Sequence, residues 1–409
     1  MCGWARVVVL LLTMGLATRA HAQTDAPPVP LSFEATRQWS AAHNLDVDAA
    51  RRGRAIRDAN IRVAGQRPNP DVSAEITRDS PHQTFTLNVP VELGSQRRRR
   101  IEVAQQESTL AAVDVQASLR DVRRQVRERF FGLLAADERV RIADAVLAIA
   151  TRIRDAAALR FDAGAVPRLD VMQAELGVAR ATADLDALRS QRAAAQATLD
   201  AVMNLPPHQP LVLADTFADH TTAPTFDEAV ATASASNIDL AALDASIAIE
   251  ARRLTLLRAQ RTPVPVFSAS GLFHSPGDFT AAPSASISVG LPLFTRNQGE
   301  IAASIATAAQ LRGQRDATRR MVENAVFAAT ARVEAASRQT ATYRTQLIPV
   351  ATELEKLSEE SYQAGLTSVL GVLDAQRNLR DLSRDSVQAS LDLQMALAEL
   401  EDLLGTPLP

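Results

Sequence analysis

The spacing of apolar residues changes period several times along the chain, and each change predicts a different element. From Ser32 to Arg67 the period is helical: Phe33, Trp39 and Ala42 follow a Ser32 cap, and the first helix ends near Asn44. A second helix runs from Asp46 to Gln66 and stops at the breaker Pro68-Asn69-Pro70. From Asp71 the period is two. Val72, Ala74 and Ile76 face one way, Ser73, Glu75 and Thr77 the other; after an Asp79-Ser80-Pro81-His82 turn, Phe85, Leu87 and Val89 alternate with Thr84, Thr86 and Asn88. These are two strands of about nine residues, long enough to cross a bilayer when tilted. Taken alone, the alternation favours a half-buried soluble hairpin. The helical period then returns from Gln96 to Phe161, with Val115, Leu119, Val122, Val126, Phe130 and Leu133 as a coiled-coil seam. At 1.5 Å per residue that helix reaches about 100 Å, more than a globular domain needs. A return helix runs from about Pro167, a first-turn residue, to Met203.

The plan then restarts. The segment FDAGAVPRLDVMQAE from Phe161 is echoed by YQAGLTSVLGVLDAQ from Tyr362, which aligns Ala163, Gly164, Leu169, Val171 and Ala174 with Ala364, Gly365, Leu370, Val372 and Ala375. A glycine just past one helix and just before another marks a hairpin tip. Thr225-Phe226 through Asn237-Ile238 parallels Ser32-Phe33 through Asn44-Leu45, and Gln260-Arg261 echoes Gln66-Arg67. Phe267, Ala269 and Phe273 alternate with Ser268, Ser270 and Leu272; after a turn at Ser275, Ala285, Ile287, Val289 and Leu291 alternate with Ser284, Ser286, Ser288 and Gly290. A second long helix runs from Gln298 to Tyr362, with a kink expected at Pro349. The last helix ends at Leu403-Leu404-Gly405. The repeats occupy 23–204 and 225–409, with β-hairpins near 71–91 and 265–293 and tips near 161–167 and 362–368; a proline-rich connector, 205–224, joins them.

Composition narrows the classes. The chain has 409 residues and a net charge of −3, which suits two or three ordinary domains or one elongated one, and gives no electrostatic reason for a nucleic-acid partner. Arg6, the apolar run after it and Ala20-His21-Ala22 read as a secretory signal peptide over 1–22, too short to span a bilayer stably. The single cysteine, Cys2, would leave with it, which removes disulfides, thiolate metal sites and a cysteine nucleophile. His43, His82, His208, His220 and His274 are scattered, without a paired ligand spacing, phosphate loop or nucleophile elbow. The reading is a non-enzyme with no cofactor and no metal site.

The strands constrain assembly. Each chain supplies four, too few to close, and an open edge cannot lie in hydrocarbon with its backbone groups unpaired. If they enter a membrane, several copies must pool them: about twelve strands from three copies, about eight from two. Four arginines, Arg97, Arg98, Arg99 and Arg100, begin the first long helix against its dipole, so something else must favour them. Lipid phosphates at the inner membrane rim would do so; solvated surface is the simpler alternative.

The duplicated helix, hairpin, long helix, tip and helix plan resembles the TolC family of outer-membrane efflux proteins over nearly the whole mature chain. VPVELGSQRRRRIEVA from Val89 and LPLFTRNQGEIAAS from Leu291 are similar to its cobalt–zinc–cadmium resistance branch. The resemblance implies a mainly α fold in which long coiled-coil hairpins form an α-barrel and four strands per chain complete a homotrimeric twelve-stranded β-barrel. It implies residence in the outer membrane of a Gram-negative bacterium, and docking to a periplasmic adaptor and an inner-membrane resistance-nodulation-division pump. The adaptor-facing tips would be Ala163, Gly164, Ala165, Ala364, Gly365 and Leu366. Asp170, Tyr362 and Asp374 match periplasmic gate residues of the family, whereas Thr367 and Gly371 replace the arginine and companion aspartate, implying a looser or differently locked gate. The alternative is a periplasmic adaptor or other coiled-coil interaction protein of an export system; one hairpin flanked by β-rich domains, as adaptors have, suits this sequence poorly.

Overall fold

The computed structural model describes residues 30–78, 83–207, 211–217, 222–273, 281–364, 366–367 and 369–408. The signal peptide, both strand turns, His82, His208, His220, His274 and Gly365 lie outside the described residues. The order is α1 (Phe33–His43), α2 (Leu45–Ala64), β1 (Asp71–Ile76), β2 (Gln83–Pro90), α3 (Gln96–Asp162) and α4 (Arg168–Met203). It repeats as α5 (Phe226–Ser236), α6 (Ile238–Ala259), β3 (Pro265–Phe273), β4 (Ala281–Val289), α7 (Gln298–Thr342), α8 (Ile348–Gln363) and α9 (Val369–Leu404). Among the described residues no helix is long and apolar enough to cross a membrane.

The four strands form one antiparallel sheet in the order β1-β2-β3-β4, so the two hairpins pair directly and leave β1 and β4 as edges. The register puts Val72 opposite Leu87, Leu87 opposite Ala269, and Ala269 opposite Ala285. One face is therefore apolar across all four strands. Phe85, Leu87, Phe267 and Ile287 lie exposed on it, while Thr86, Asn88, Ser268 and Ser270 share the other face, joined by Thr86–Ser270 and Ser268–Asn88 hydrogen bonds of 3.1 and 2.7 Å. Two strands are shorter than the expected nine residues, β1 with six and β2 with eight. β4 stops at Val289, short of the expected Leu291, because Gly290 and Pro292 end the ladder: Leu293 turns back to donate to the Leu291 carbonyl at 2.9 Å.

Asparagines tie each half together. Asn44 accepts from the backbone of Asp46 and Val47, capping α2, and its amide donates to Val202 O at 3.0 Å at the end of α4. Asn237 does the same for α6, and donates to Leu403 O at 2.9 Å at the end of α9. α4 ends on Asn204 at φ 56° and α9 on Gly405 at φ 72°, the same left-handed stop in each half. Glycine is required at the second, since a Cβ there would stand 2.3 Å from the Ser236 carbonyl oxygen.

Pro349 acts differently from the expected simple kink. The helix passes through a π turn, Tyr343–Leu347, and restarts as α8 with the proline in its first turn, where its missing N–H costs nothing. One residue more separates Val326 from Tyr362 than separates Val126 from Phe161. The π turn absorbs it, so both hairpins reach their tips in register. Pro167 also sits one place earlier than expected, as the extended cap of α4 rather than in its first turn.

The halves meet where α3 packs on α6 and α9. Arg127 is fully buried there: its Nε donates to Glu401 at 3.1 Å, its Nη1 to Gln394 at 2.8 Å, and its guanidinium lies 4.8 Å from the Phe33 ring centroid. Arg123 donates to Gly405 O at 2.8 Å, and Arg120 bridges Asp239 and Asp402 at 3.0 and 3.3 Å. Burial pushes the Glu401 carboxyl up, and Arg127, Arg123 and Arg37 only partly oppose it. Arg127→Met should therefore destabilise the chain by about 3–5 kcal/mol by leaving Glu401 buried with only the 3.9 Å contact to Arg123, while Arg127→Met with Glu401→Leu should lose less. A carboxyl whose folded pKa is raised favours folding at low pH and loses that contribution as pH rises through the folded pKa. The melting deficit of Arg127→Met in detergent should thus shrink on acidification; a pH-independent deficit would contradict this account.

Candidate functional site: the helical tips and their aromatic lock

α3 stops because Gly164 adopts φ 70°, which lets Gly164 N–H reach Phe161 O and Ala165 N–H reach Arg160 O, both at 2.8 Å. This double bond pattern satisfies the orphan carbonyls of the last turn. At the second tip Leu366 N–H donates to Ser361 O at 2.9 Å, the counterpart of the Ala165 bond. Ala163, Gly164, Ala165, Ala364 and Leu366 are all exposed, Leu366 at 80%. Phe161, Leu169, Met172 and Leu370 extend an exposed apolar surface around the tips.

Behind this surface is a small core of Ile153, Ala157, Ala174 and Val372, which joins α3, α4 and α9. Tyr362 packs against it, half-buried, and the Arg160 guanidinium covers its ring at 4.9 Å from the centroid. The expected family arginine is absent because Thr367 stands in its place, yet Tyr362 still has a cationic partner from the other hairpin. Arg160 escaped the sequence reading because it precedes the repeated motif by one residue.

The three gate candidates are not joined to one another. Asp170 sits in the first turn of α4, where a carboxylate suits the helix dipole, and Asp374 pairs with Arg377 of its own helix at 3.3 Å. Among the described residues no hydrogen bond or ion pair links Asp170, Tyr362 and Asp374.

The arginine run at the other end divides. Arg97 donates to Gly65 O at 2.6 Å, and Arg100 to Ala64 O and Gln66 O at 3.3 and 3.1 Å, so both neutralise the carbonyl end of α2. Arg100 also pairs with Glu92, and Arg99 with Glu102 at 2.7 Å. The electrostatic cost of Arg97, Arg99 and Arg100 is thus met within the chain, a further possibility beside the lipid phosphate and the solvated surface that the sequence leaves open. Arg98 keeps only a 3.8 Å contact to Glu102 and stays exposed. Groups of His, Cys, Asp and Glu able to hold a metal ion are absent among the described residues.

The family model described as outer membrane efflux protein matches residues 37–205 and 231–406. The chain is 28% identical over 371 residues to the cobalt-zinc-cadmium resistance protein CzcC of Cupriavidus metallidurans, covering 86% of this chain and 84% of that one. Its fold is similar to that of CusC, with a TM-score of 0.75, 14% identity and 92% of each chain covered. The outer membrane protein VceC of Vibrio cholerae superposes with a TM-score of 0.72 at 16% identity, over 91% of this chain and 96% of that one. The mainly α fold with a small four-stranded sheet is the one these proteins share.

Gly164→Ala should strain the left-handed turn by about 1–2 kcal/mol. Limited proteolysis should then cut faster between 160 and 168 with little change in overall melting. Equal cleavage rates would show that the tip does not depend on this turn.

Proposed function

Because the chain belongs to the outer membrane efflux protein family, we propose that it is the outer-membrane channel of a three-part efflux system, passively conducting heavy-metal cations to the exterior. The observation that carries the reading is the sheet: four strands, apolar across one face and open at both edges, at one end of helices about 100 Å long. In hydrocarbon those edges must be paired by sister chains, and three copies give a twelve-stranded barrel above a helical tunnel. Arg98 would face phospholipid at the inner rim.

The exposed apolar tips suit a periplasmic adaptor that links the tunnel to an inner-membrane resistance-nodulation-division pump. A leader over 1–22 would deliver the chain to the periplasm. The metal preference is supported by the likeness to CzcC, and a conduit needs no ligand set of its own. Asp374, exposed on α9 near the tip, would form a ring of carboxylates in the trimer and favour cations. Asp170 and the Arg160–Tyr362 pair would help to hold the lower end closed.

Deleting the gene should raise cellular cobalt, zinc or cadmium under metal challenge, and complementation should restore efflux; unchanged metal content would refute the substrate class. In planar bilayers, Asp374→Ala should lower the reversal potential of the purified channel under a salt gradient. An unaltered reversal potential would dispose of the carboxylate ring. Arg160→Ala should raise resting conductance, and a conductance equal to that of the parent would remove Arg160 from the closure.

A further inference from the structure

We infer that a cleft part-way along the helices binds an aromatic monoanion, a single ring carrying a sulfonate or carboxylate, with the charge held between Arg139 and Arg384. The cleft has α3 as its floor, α4 as one wall and α9 as the other. About 35 Å of helix separates Arg139 from the end of α3, so the cleft is distinct from the apolar surface of the tips. Every group in it belongs to one chain, so it depends neither on assembly nor on the efflux reading.

The hollow exists because α9 changes character. Nearer the tip, Val372 of α9 packs with Ile153, Ala157 and Ala174 and closes the space between the helices. Further along, α9 presents Arg380, Arg384 and Gln388, each four residues from the last, to the same side. Arginines cannot fill an apolar gap, because their charged heads must reach water or a partner. Ala143, Ala181 and Ala187 on the other helices are too small to fill it. What remains is an inner part of about 150 Å³, floored by Ile142, Ala143, Val146 and Ala181, which opens into an outer part of about 340 Å³. An apolar hollow of the inner size suits one benzene ring. Arg139, Leu188 and Arg384 line both parts and so stand at the junction, where a group attached to that ring would emerge.

Charge selects the attached group. In the inner part three guanidinium groups face a single carboxylate, Asp184; Asp381 and Asp385 line only the outer part. Arg380 donates to Asp381, its neighbour on α9, at 3.0 Å, whereas Arg139 donates to the neutral Gln388 amide at 2.7 Å and keeps its charge unbalanced. Arg384 is exposed, and among the described residues neither it nor Asp184 makes a hydrogen bond or ion pair. An anion at the junction would gain charge-assisted hydrogen bonds from two different helices beside a floor that excludes water. A neutral ring forgoes those bonds, and a small anion leaves the floor wet. A cation drawn to Asp184 would meet three arginines.

The test is a fluorine NMR titration of the full chain in detergent with para-fluorobenzenesulfonate. Saturable line broadening is expected, with binding about tenfold weaker for Arg384→Ala. Ala187→Trp, made at an exposed wall position, should abolish it by laying an indole across the hollow. Arg338→Ala, exposed and outside the cleft, should bind as the parent does, and para-fluorobenzyl alcohol should bind the parent at least about tenfold less tightly. Absence of saturable binding would overturn the site. So would undiminished binding to Arg384→Ala or Ala187→Trp, or an equal loss in Arg338→Ala. Equal affinity for the neutral alcohol would overturn the selection for an anion.

Discussion

Backbone groups at the two free edges of the sheet govern the rest of the molecule. A strand edge in hydrocarbon has no water to bond, so β1 and β4 need partners that this chain cannot give them. The apolar side chains on one face of the sheet define where hydrocarbon would lie. The short hydroxyl-bearing and amide side chains on the other suit a wet interior. Duplication gives each half the same set of strands and helices, and within the chain β2 pairs with β3 to join them into one sheet.

The joint between the halves is unusual in being partly ionic. Arg127 is buried with Glu401 and Gln394, while Arg120 and Arg123 hold the ends of α6 and α9 nearer the surface. A buried pair of this kind adds little net stability over a well-packed apolar one, but it penalises misalignment severely. Two helices as long as α3 and α9 could slide by a turn with only modest loss of apolar contact. A single buried arginine with fixed partners makes such a slip expensive. The Asn44 and Asn237 bridges perform a similar duty within each half, tying the start of one helix to the end of another.

The tips carry the opposite character. The first is ended by left-handed glycine geometry at Gly164, and both are held by a small apolar core and carry exposed apolar side chains. Low local packing is what a segment that must open or receive a partner requires. Among the described residues the Arg160–Tyr362 contact is the one directional interaction between the two hairpins at this end, and the side chain supplying the cation differs from the position the family resemblance suggested.

Periodicity in the sequence was enough to determine the elements. The switch from helical period to alternation at Asp71, the seam from Val115 to Leu133 and the repeated Ala-Gly tips each encode local geometry, and local geometry is set by residues close in the chain. The mainly α plan and the duplication were legible for that reason. Three features were not. Arg120, Arg123 and Arg127 of α3 carry no signal in the sequence pattern, because their partners lie far away, on α9 and α6. The run from Arg97 to Arg100 leaves lipid phosphate and solvated surface both open in the sequence, because only the fold brings the carbonyl end of α2 beside it. The π turn before Pro349 could be inferred only by comparing two helices that must reach the same tip. Sequence alone thus settled what each segment becomes, because steric and hydrophobic periodicity act over a few residues. Tertiary structure decided which charges meet, because a long-range pair depends on how distant helices are brought into register.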